Sequence, residues 1–506
     1  MIQGGNMKNQ WKIKMGILTL LAVVFMFSGD IRAAEGELGF FGGISEGESL
    51  PKIIEEFVPA RKETKKVYQY KEMLFFGNKP VELTGTLTVS MNTDKLATTD
   101  AGSYPEEYLI NIRNEKQNVS LDRRVRLTTS FRKQENPYSF QVIKDSKLTG
   151  WVETIKMGDK TLTLDQSTTT FSKSTAEDLT PGVNYYTTDV SYVATYLDED
   201  KKPYYATMNG KITGFKQPWS KIESQVMELN INSPDHKFYR DVQIKPRLEA
   251  NRSIYYESSD PFQISFSGTY NQRLERKATL AYEIRNEEPG LTSKEKANSI
   301  SILPNNPIEK LLIPKKLEFL SGHWAEEDIK QLYSLGVYTE IPHSGMQYEA
   351  MSRGEFVKAL CLAMNVDTSK YKNPNKKSPI IFGDVPWNHP LYPYIMAAYD
   401  IRMVDGTGGF FSIDTPITRQ EAFAIYIRVI GLERLGVMTT LQTPFKDDAD
   451  IAPWAKREIL AGYKIGVIVG DNEGNVKPTQ WFTKAESAAI INRLINYLRT
   501  EIGQGY

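Results

Sequence analysis

The sequence is poor in the residues that most catalytic and metal sites need. It has one cysteine, Cys361, and four histidines among 506 residues. A single cysteine excludes an intrachain disulfide, so packing or partners must stabilise the chain. Neither His-Glu-x-x-His nor Gly-x-Ser-x-Gly occurs, and the carboxylates of the first half form no recognisable glycosidase pair. We therefore expect no enzyme activity, no catalytic residue, no metal and no cofactor.

An excess of charge of either sign is also missing. Lysine plus arginine and aspartate plus glutamate both number 62, so the formal net charge is zero. A broad basic field for nucleic acid is therefore absent, and any anion site must be local. With 40% hydrophobic and 25% charged residues, the composition is that of a globular protein with several domains. We predict that nucleic acid is not a partner.

Long apolar runs are confined to the start of the chain. Lys12 and Lys14 precede an apolar run over residues 15–27, and Ala34 follows it among small residues. This order is typical of a secretory signal peptide, and the alternative is an uncleaved N-terminal anchor. We predict a signal peptide at residues 1–34, a secreted chain, and no transmembrane segment after signal cleavage.

Residues 35–288 have the pattern of strands. The segments 82–89 and 185–193 alternate between apolar and polar residues and are rich in Thr, Tyr and Val, which indicates half-buried antiparallel strands. Turn signals such as Gly158-Asp159 separate such segments. We predict a mainly antiparallel β domain of unknown function. Prolines and polar residues dominate 289–316, which we predict to be a linker.

Beyond residue 316 the pattern becomes helical, and one unit occurs three times, in residues 317–378, 379–442 and 443–503. A first landmark recurs at intervals of 66 and 64 residues, at Trp324, Pro390 and Trp454. A second landmark recurs at intervals of 66 and 65 residues, in the strings Ser352-Arg353-Gly354-Glu355, Thr418-Arg419-Gln420-Glu421 and Thr483-Lys484-Ala485-Glu486. Two landmarks with nearly the same period indicate an internal repeat.

The second landmark is a capping box at the start of a helix. The hydroxyl of Ser352, Thr418 or Thr483 accepts a bond from the third helical N–H, and the glutamate returns to the cap N–H; these glutamates are Glu355, Glu421 and Glu486. The basic residue beside the cap adds its charge to the positive end of the helix dipole, which favours a bound anion. The alternative is that each cation pairs with a carboxylate of the adjacent repeat.

The three units resemble S-layer homology domains. The matching features are the Phe-x-Asp entry, the His-Trp-Ala helix start, the Gly-Val-x-x-Gly string and the Thr-Arg-Ala-Glu motif, over about residues 317–500. The resemblance implies an all-α bundle of three repeats in a pseudo-three-fold arrangement, and a pyruvylated secondary cell-wall polysaccharide as partner. It implies that Arg353, Arg419 and Lys484 hold the ketal-pyruvate carboxylate in grooves that Gly406 and Gly470 line.

The repeats depart from this pattern in ways that bear on binding. Lys484 keeps the charge but lacks the planar fork of arginine. Glu340 stands where the other repeats have Gly406 and Gly470, and its carboxylate would repel an anion, so we predict that not all three grooves bind. The tryptophans of the first landmark either stack on sugar rings or anchor the first helix in the core.

Together these patterns predict a secreted protein that is anchored non-covalently to the bacterial cell wall or S-layer surface. The β-rich module would face outward in a structural role, with other surface or S-layer proteins as further partners. Two alternatives to this structural role remain for residues 35–310. The first is a wall-anchored hydrolase, and the second is an adhesin or carbohydrate-binding module.

Overall fold

The computed structural model describes most of the chain beyond the predicted signal peptide, which lies outside the described residues. The described residues are 41–46, 50, 65–93, 95–96, 99–135, 139–235, 237–257, 269–286, 290–304, 308–312, 317–436 and 442–501. None of the helices among them is long and apolar enough to cross a membrane.

The first half of the chain forms one sheet. Its described strands are β1 (Ile44–Ser45), β2 (Lys65–Leu74), β3 (Val81–Met91), β4 (Ala101–Asn114), β5 (Val119–Glu135), β6 (Phe140–Met157), β7 (Lys160–Leu164), β8 (Thr170–Leu179), β9 (Asn184–Leu197), β10 (Pro203–Lys216), β11 (Ser220–Ser233), β12 (Phe238–Glu257), β13 (Thr269–Ile284), β14 (Ala297–Ile302) and β15 (Ile308–Leu312). Neighbours along the chain pair with each other almost throughout, with β8 between β6 and β9 and β15 beside β13. The strand pairs that the structure describes, from the hairpin of β2 and β3 to that of β12 and β13, are antiparallel, which confirms the predicted strand direction.

The alternating pattern in the sequence sets which face of each strand is buried. Along β5, Leu121, Val125 and Leu127 are buried, whereas Arg124 and Arg126 between them are exposed. Successive side chains of a strand point to opposite faces, so the apolar residues collect on one side and form a continuous core. The outer face is polar and solvated.

Two strands lie inside the segment predicted to be a linker. Both β14 and β15 pair with β13, at Ala278–Glu283 and Thr269–Arg273 respectively. Residues 289–316 therefore contribute to the sheet instead of only connecting it to the repeats. Of the prolines that suggested a linker, the described Pro304 lies between these short strands rather than within either of them, as expected for a residue that lacks a ladder donor.

The second half of the chain is built from helices. After the short α1 (Ser293–Lys296), the described helices are α2 (Glu326–Ser334), α3 (Arg353–Ala363), α4 (Tyr392–Asp400), α5 (Arg419–Ile430), α6 (Lys456–Lys464) and α7 (Lys484–Asn496). Each repeat thus supplies a first helix (α2, α4 or α6) and a second helix (α3, α5 or α7). Short 3-10 turns and a π-helical stretch at Tyr497–Glu501 complete this half.

Backbone hydrogen bonds link the repeats in cyclic order. Immediately before the second helices, one residue of each repeat takes part in a closed set of three bonds. They run from Met351 N to Phe482 O (2.9 Å), from Phe482 N to Ile417 O (3.0 Å) and from Ile417 N to Met351 O (2.9 Å). The N-terminal ends of α3, α5 and α7 therefore meet around a common centre.

The β half caps the opposite ends of α3 and α5 and the π-helical stretch that follows α7. The last carbonyls of a helix have no partner within the helix, and here loops of the sheet supply the donors. The bonds run from Trp219 Nε1 to Ala363 O (2.9 Å), from Gly182 N to Val429 O (2.7 Å) and from Gln217 Nε2 to Leu498 O (2.6 Å). Phe215, Trp219 and Tyr270 share one apolar core with the helices. The two halves are therefore packed together through a common core.

Candidate anion-binding grooves between the repeats

All three predicted capping boxes are formed. At the start of α3, Ser352 Oγ accepts from Glu355 N (3.2 Å), and Glu355 Oε2 accepts from Ser352 N (2.9 Å). The glutamates of α5 and α7 accept from the cap nitrogens in the same way, at 2.8 and 2.9 Å. These caps hold the first turn of each second helix, which carries Arg353, Arg419 or Lys484 as its first residue.

Each basic residue reaches the capping glutamate of the following repeat. Arg353 Nη1 lies 3.0 Å from Glu421 Oε1, and Arg419 Nη1 lies 3.2 Å from Glu486 Oε1. Lys484 closes the cycle with Glu355, although its Nζ is 3.9 Å from Oε1. Each glutamate therefore uses one oxygen for its own cap and turns the other towards a cation of the preceding repeat. The inter-repeat pairs anticipated as an alternative are present.

These pairs leave one donor of each guanidinium without a partner among the described residues. Arg353 Nε is buried and has no hydrogen-bond partner among the described residues. Arg419 places Nε on Val476 O (2.8 Å) and Nη1 on Glu486, and its Nη2 has no acceptor in the described part of the chain. Burial lowers the pKa of both guanidinium groups, and the paired glutamates oppose this effect. Both remain charged at neutral pH because an arginine starts from a pKa above 12.

We call the space beside Arg419 the Arg419 groove. It is a cavity of about 370 Å³ to which all three repeats contribute: Trp324 from the first, Arg419 from the second, and Gly470, Phe482, Glu486 and Arg493 from the third. The guanidinium of Arg419 also lies 4.8 Å from the centre of the Phe482 ring, which fixes the plane of its fork. A volume of this size accommodates a sugar unit.

We call the surroundings of Arg353, between the first and second repeats, the Arg353 groove. Arg353 Nη2 donates to Asp405 O (3.1 Å), next to Gly406, and its guanidinium lies 4.9 Å from the centre of the Phe411 ring. A second cation, Arg428, stands nearby and pairs with Asp405 Oδ2 at 3.3 Å. This groove thus holds two cations and one exposed carboxylate.

The Lys484 groove, between the third and first repeats, is acidic. Lys484 is only 7% exposed, and its Nζ lies 3.3 Å from Glu349 and 4.0 Å from Glu340 in addition to its contact with Glu355. His343 Nε2 lies 2.8 Å from the other oxygen of Glu349. The hydrogen bond between them raises the pKa of His343 and lowers the pKa of Glu349. The single lysine is surrounded by carboxylates.

The glycines and tryptophans predicted to line the grooves have different surroundings. A Cβ atom on Gly406 would lie 2.3 Å from the Phe382 ring, and one on Gly470 would lie 3.2 Å from the Phe445 ring. The glycines therefore accommodate the phenylalanine of the Phe-x-Asp entry as well as exposing backbone. Trp324 and Trp454 are 64% and 50% exposed. Their solvent exposure excludes the alternative in which they anchor the first helix within the core.

The β half contains a pair of carboxylates, but a sugar has no room beside it. Glu72 and Glu153 both bind Arg123, at 2.9 and 2.7 Å, and all three are buried. The cavity at this cluster is about 30 Å³, which is the volume that one water molecule occupies. This pair lies in the interior of the sheet as an ion-pair network.

Sequence reasoning missed the second cations, Arg428 and Arg493. Each arginine lies seven residues after the capping glutamate of its own helix. The arginine and that glutamate therefore lie on the same face of the helix, two turns apart. The string Glu-x6-Arg in the second and third repeats was therefore a usable signal. The corresponding residue of the first repeat is Leu362.

Comparison with known proteins finds a family match within the helical half. Residues 444–488 match the family model of the S-layer homology domain. An endoglucanase of Bacillus sp. (strain KSM-635) is 30% identical over 131 residues, which are 26% of this chain and 13% of that protein. Exoglucanase XynX of Acetivibrio thermocellus is 28% identical over 185 residues, 35% and 16% of the two chains. A cell surface protein of Thermoanaerobacter kivui is 25% identical over 126 residues, 25% and 16% of the two chains.

These findings place the chain among proteins that carry an S-layer homology domain. The resemblance stated from the sequence is confirmed, and with it a secreted protein associated with the cell wall or S-layer. Such a domain indicates anchoring at the cell surface and binding of cell-wall polysaccharide in general. The chain spans about one-sixth or less of the length of these relatives.

The relatives also require one correction. The prediction that the chain is not an enzyme is contradicted, because two of them are named as an endoglucanase and an exoglucanase and point to a glycoside hydrolase. Sequence reasoning had relied on the absence of a nucleophile or metal motif. That argument fails for glycoside hydrolases, whose two carboxylates come from distant parts of a chain and leave no local motif.

Proposed function

We propose that the three repeats form a pseudo-three-fold bundle that anchors the protein non-covalently to a pyruvylated secondary cell-wall polysaccharide. The cyclic backbone bonds and the cyclic pairing of each cation with the next capping glutamate support this arrangement. The observation that carries the proposal is the Arg419 groove. There a guanidinium with an available donor stands at a capped helix N-terminus, inside a cavity wide enough for a sugar unit.

The chemistry of a ketal-pyruvate group fits this groove. Its carboxylate would accept charge-assisted bonds from Arg419, and the helix N-terminus adds a favourable field. The apolar face of the attached sugar would lie on the exposed ring of Trp324, which lines the same cavity. Trp454 is the residue of the third repeat that corresponds to Trp324, and we assign it by the cyclic order to the Arg353 groove.

The ends of the second helices give the anchor a direction. The candidate grooves lie at the N-terminal ends of α3 and α5, whereas the β half caps the C-terminal ends. With α5 running over Arg419–Ile430, the two ends are about 18 Å apart. We therefore propose that the β half faces outward from the wall, where other surface or S-layer proteins would meet it.

Cleavage of a glucan is a second candidate function, supported by the two glucanase relatives. The sealed Glu72–Arg123–Glu153 network does not serve it, for want of space. The test is release of reducing sugar from glucans and from purified walls by the full chain. No release above a buffer control would reject this candidate.

The anchoring proposal is tested by sedimentation of the full chain with purified walls, before and after mild acid removal of the pyruvate ketals. We expect Arg419→Ala to weaken binding by about 10- to 100-fold, because one charge-assisted pair contributes about 1.5–3 kcal/mol. Arg285→Ala is the matched control, since this arginine pairs with Glu228 on the surface of the β half. Undiminished binding to walls without ketals would contradict the carboxylate mechanism.

A further inference from the structure

The cations of the grooves occur in pairs rather than singly. In the Arg419 groove the second cation is Arg493, which lines the same cavity and whose charge acts on the pKa of Arg419. In the Arg353 groove it is Arg428, whose charge acts in the same way on Arg353. In both grooves the first cation is at the N-terminus of one second helix, and the second cation is on the face of the next.

Cations that repel each other in a shared cavity are costly unless an anion lies between them. Arg493 is exposed and has no carboxylate partner in the described part of the chain, whereas Arg428 is partly neutralised by Asp405. The residue of the third repeat that corresponds to Asp405 is Val469, which is apolar and also lines the Arg419 groove. The Arg419 groove therefore has the larger uncompensated positive charge.

The Lys484 groove lacks every one of these features. The cyclic order brings together four departures that are scattered in the sequence: lysine for the first arginine (Lys484), Leu362 for the second cation, Glu340 for the glycine and Pro390 for the tryptophan. Lys484 and Glu340 are in direct contact at 4.0 Å. Leu362 lies two turns after Glu355, on the helix face that Lys484 approaches.

We propose, as an extension of the proposed function, that the wall ligand is held by paired cations in two grooves, Arg419 with Arg493 and Arg353 with Arg428. The Lys484 groove binds no wall anion and instead stabilises the contact between the third repeat and the first. Three carboxylates already lie within 4.0 Å of Lys484 Nζ, and Tyr338 Oη of the first repeat donates a 2.8 Å hydrogen bond to Lys484 O. The second cations are therefore specificity residues for an anionic glycan.

The experiment is calorimetric titration of the full chain with a pyruvylated disaccharide from the wall polysaccharide. We expect two sites in the parent protein, the tighter one lost in Arg419→Ala. Arg493→Leu copies the first repeat at an exposed position and should weaken the tighter site by about tenfold, the loss of one charge-assisted contact. Lys484→Ala should leave both sites unchanged and lower the unfolding temperature.

A gain-of-function variant provides the converse test. Combining Lys484→Arg, Glu340→Gly and Leu362→Arg gives the third groove the residues of the other two, and we expect a third site. Three equal sites in the parent protein would overturn this inference alone. The same holds if Arg493→Leu keeps the affinity of the tighter site while Arg419→Ala loses that site. Unchanged binding in Arg419→Ala would instead refute the proposed anchoring function, so the two failures are distinguishable.

Discussion

Replacement of Trp219 by alanine should destabilise both halves of the protein together. This side chain comes from a loop of the β half, is fully buried, and lies in the apolar core that the helices form. Its Nε1 also donates to the last carbonyl of α3, Ala363 O, at 2.9 Å. Trp219 therefore belongs to the β half in sequence but packs in the core of the helical half, so its truncation should affect both halves.

The expected loss in the free energy of unfolding is large. Truncation of a buried tryptophan costs about 3–5 kcal/mol through lost transfer energy and the cavity left behind. The carbonyl of Ala363 then loses its partner, which adds about 1–3 kcal/mol if water does not reach it. A total of about 4–8 kcal/mol is a large share of the roughly 5–15 kcal/mol that separates a typical domain from its unfolded state.

The assay is thermal unfolding followed in parallel by circular dichroism at a helix-sensitive and a strand-sensitive wavelength. Both signals should shift to lower temperature by the same amount in Trp219→Ala. Trp454→Ala is the matched control, since that ring is half exposed and surface substitutions usually stay within about 0.5 kcal/mol. If the helical signal keeps its parent midpoint while the strand signal shifts, the two halves unfold separately and the shared-core argument is wrong.

Two further predictions concern the helical half. His343 and Glu349 stabilise the contact between the third and first repeats at the Lys484 groove only while both side chains are charged. Because the pKa of His343 is raised, its contribution to stability is present at low pH and is lost as the pH rises through that pKa. The pKa of Glu349 is lowered, so its contribution is present at higher pH and is lost as the pH falls through that pKa. His343→Gln should remove the part of the decline in melting temperature that this pair causes as the pH rises through the raised pKa of His343, and a parent-like pH profile would contradict the role of the pair. Gly406→Ala should lower the free energy of unfolding by about 1–3 kcal/mol because the new Cβ would overlap the Phe382 ring. Gly470→Ala should cost less, since the nearest ring atom would be 3.2 Å from its Cβ. Equal losses of the two variants in denaturant titrations would exclude this explanation.

The sequence revealed those features of the fold that depend on local patterns. Capping boxes are local, so Ser352 and Glu355 identified the start of α3 from four consecutive residues. Strand alternation is local as well, and the segment 185–193 lies within β9 as predicted. The linker prediction missed β14 because a short strand with little apolar alternation has no distinctive sequence signal; it depends on its pairing with β13.

The composition of each groove could not be predicted from the repeats taken one at a time. The period shows that Arg353, Arg419 and Lys484 are equivalent, but it does not show which repeat supplies the opposite wall. That depends on contacts such as the one between Arg353 and Glu421, which are 68 residues apart. For the same reason the sequence does not show that Glu340 and Lys484 belong to one groove, which their contact in the structure establishes.

The second helices relate anchoring to the orientation of the β half. Their N-terminal ends concentrate positive charge at the candidate grooves, and their C-terminal carbonyls are satisfied by Trp219, Gly182 and Gln217 of the β half. A flexible tether would leave those carbonyls to water and would let the β half rotate freely. Because the described structure packs these helix ends against the β half through a shared core instead, attachment of the grooves to the wall would also fix the direction in which the sheet projects. The same rigidity implies that the helical half cut free of the sheet would lose its caps and part of its core, so binding measured on such a fragment would understate that of the whole protein.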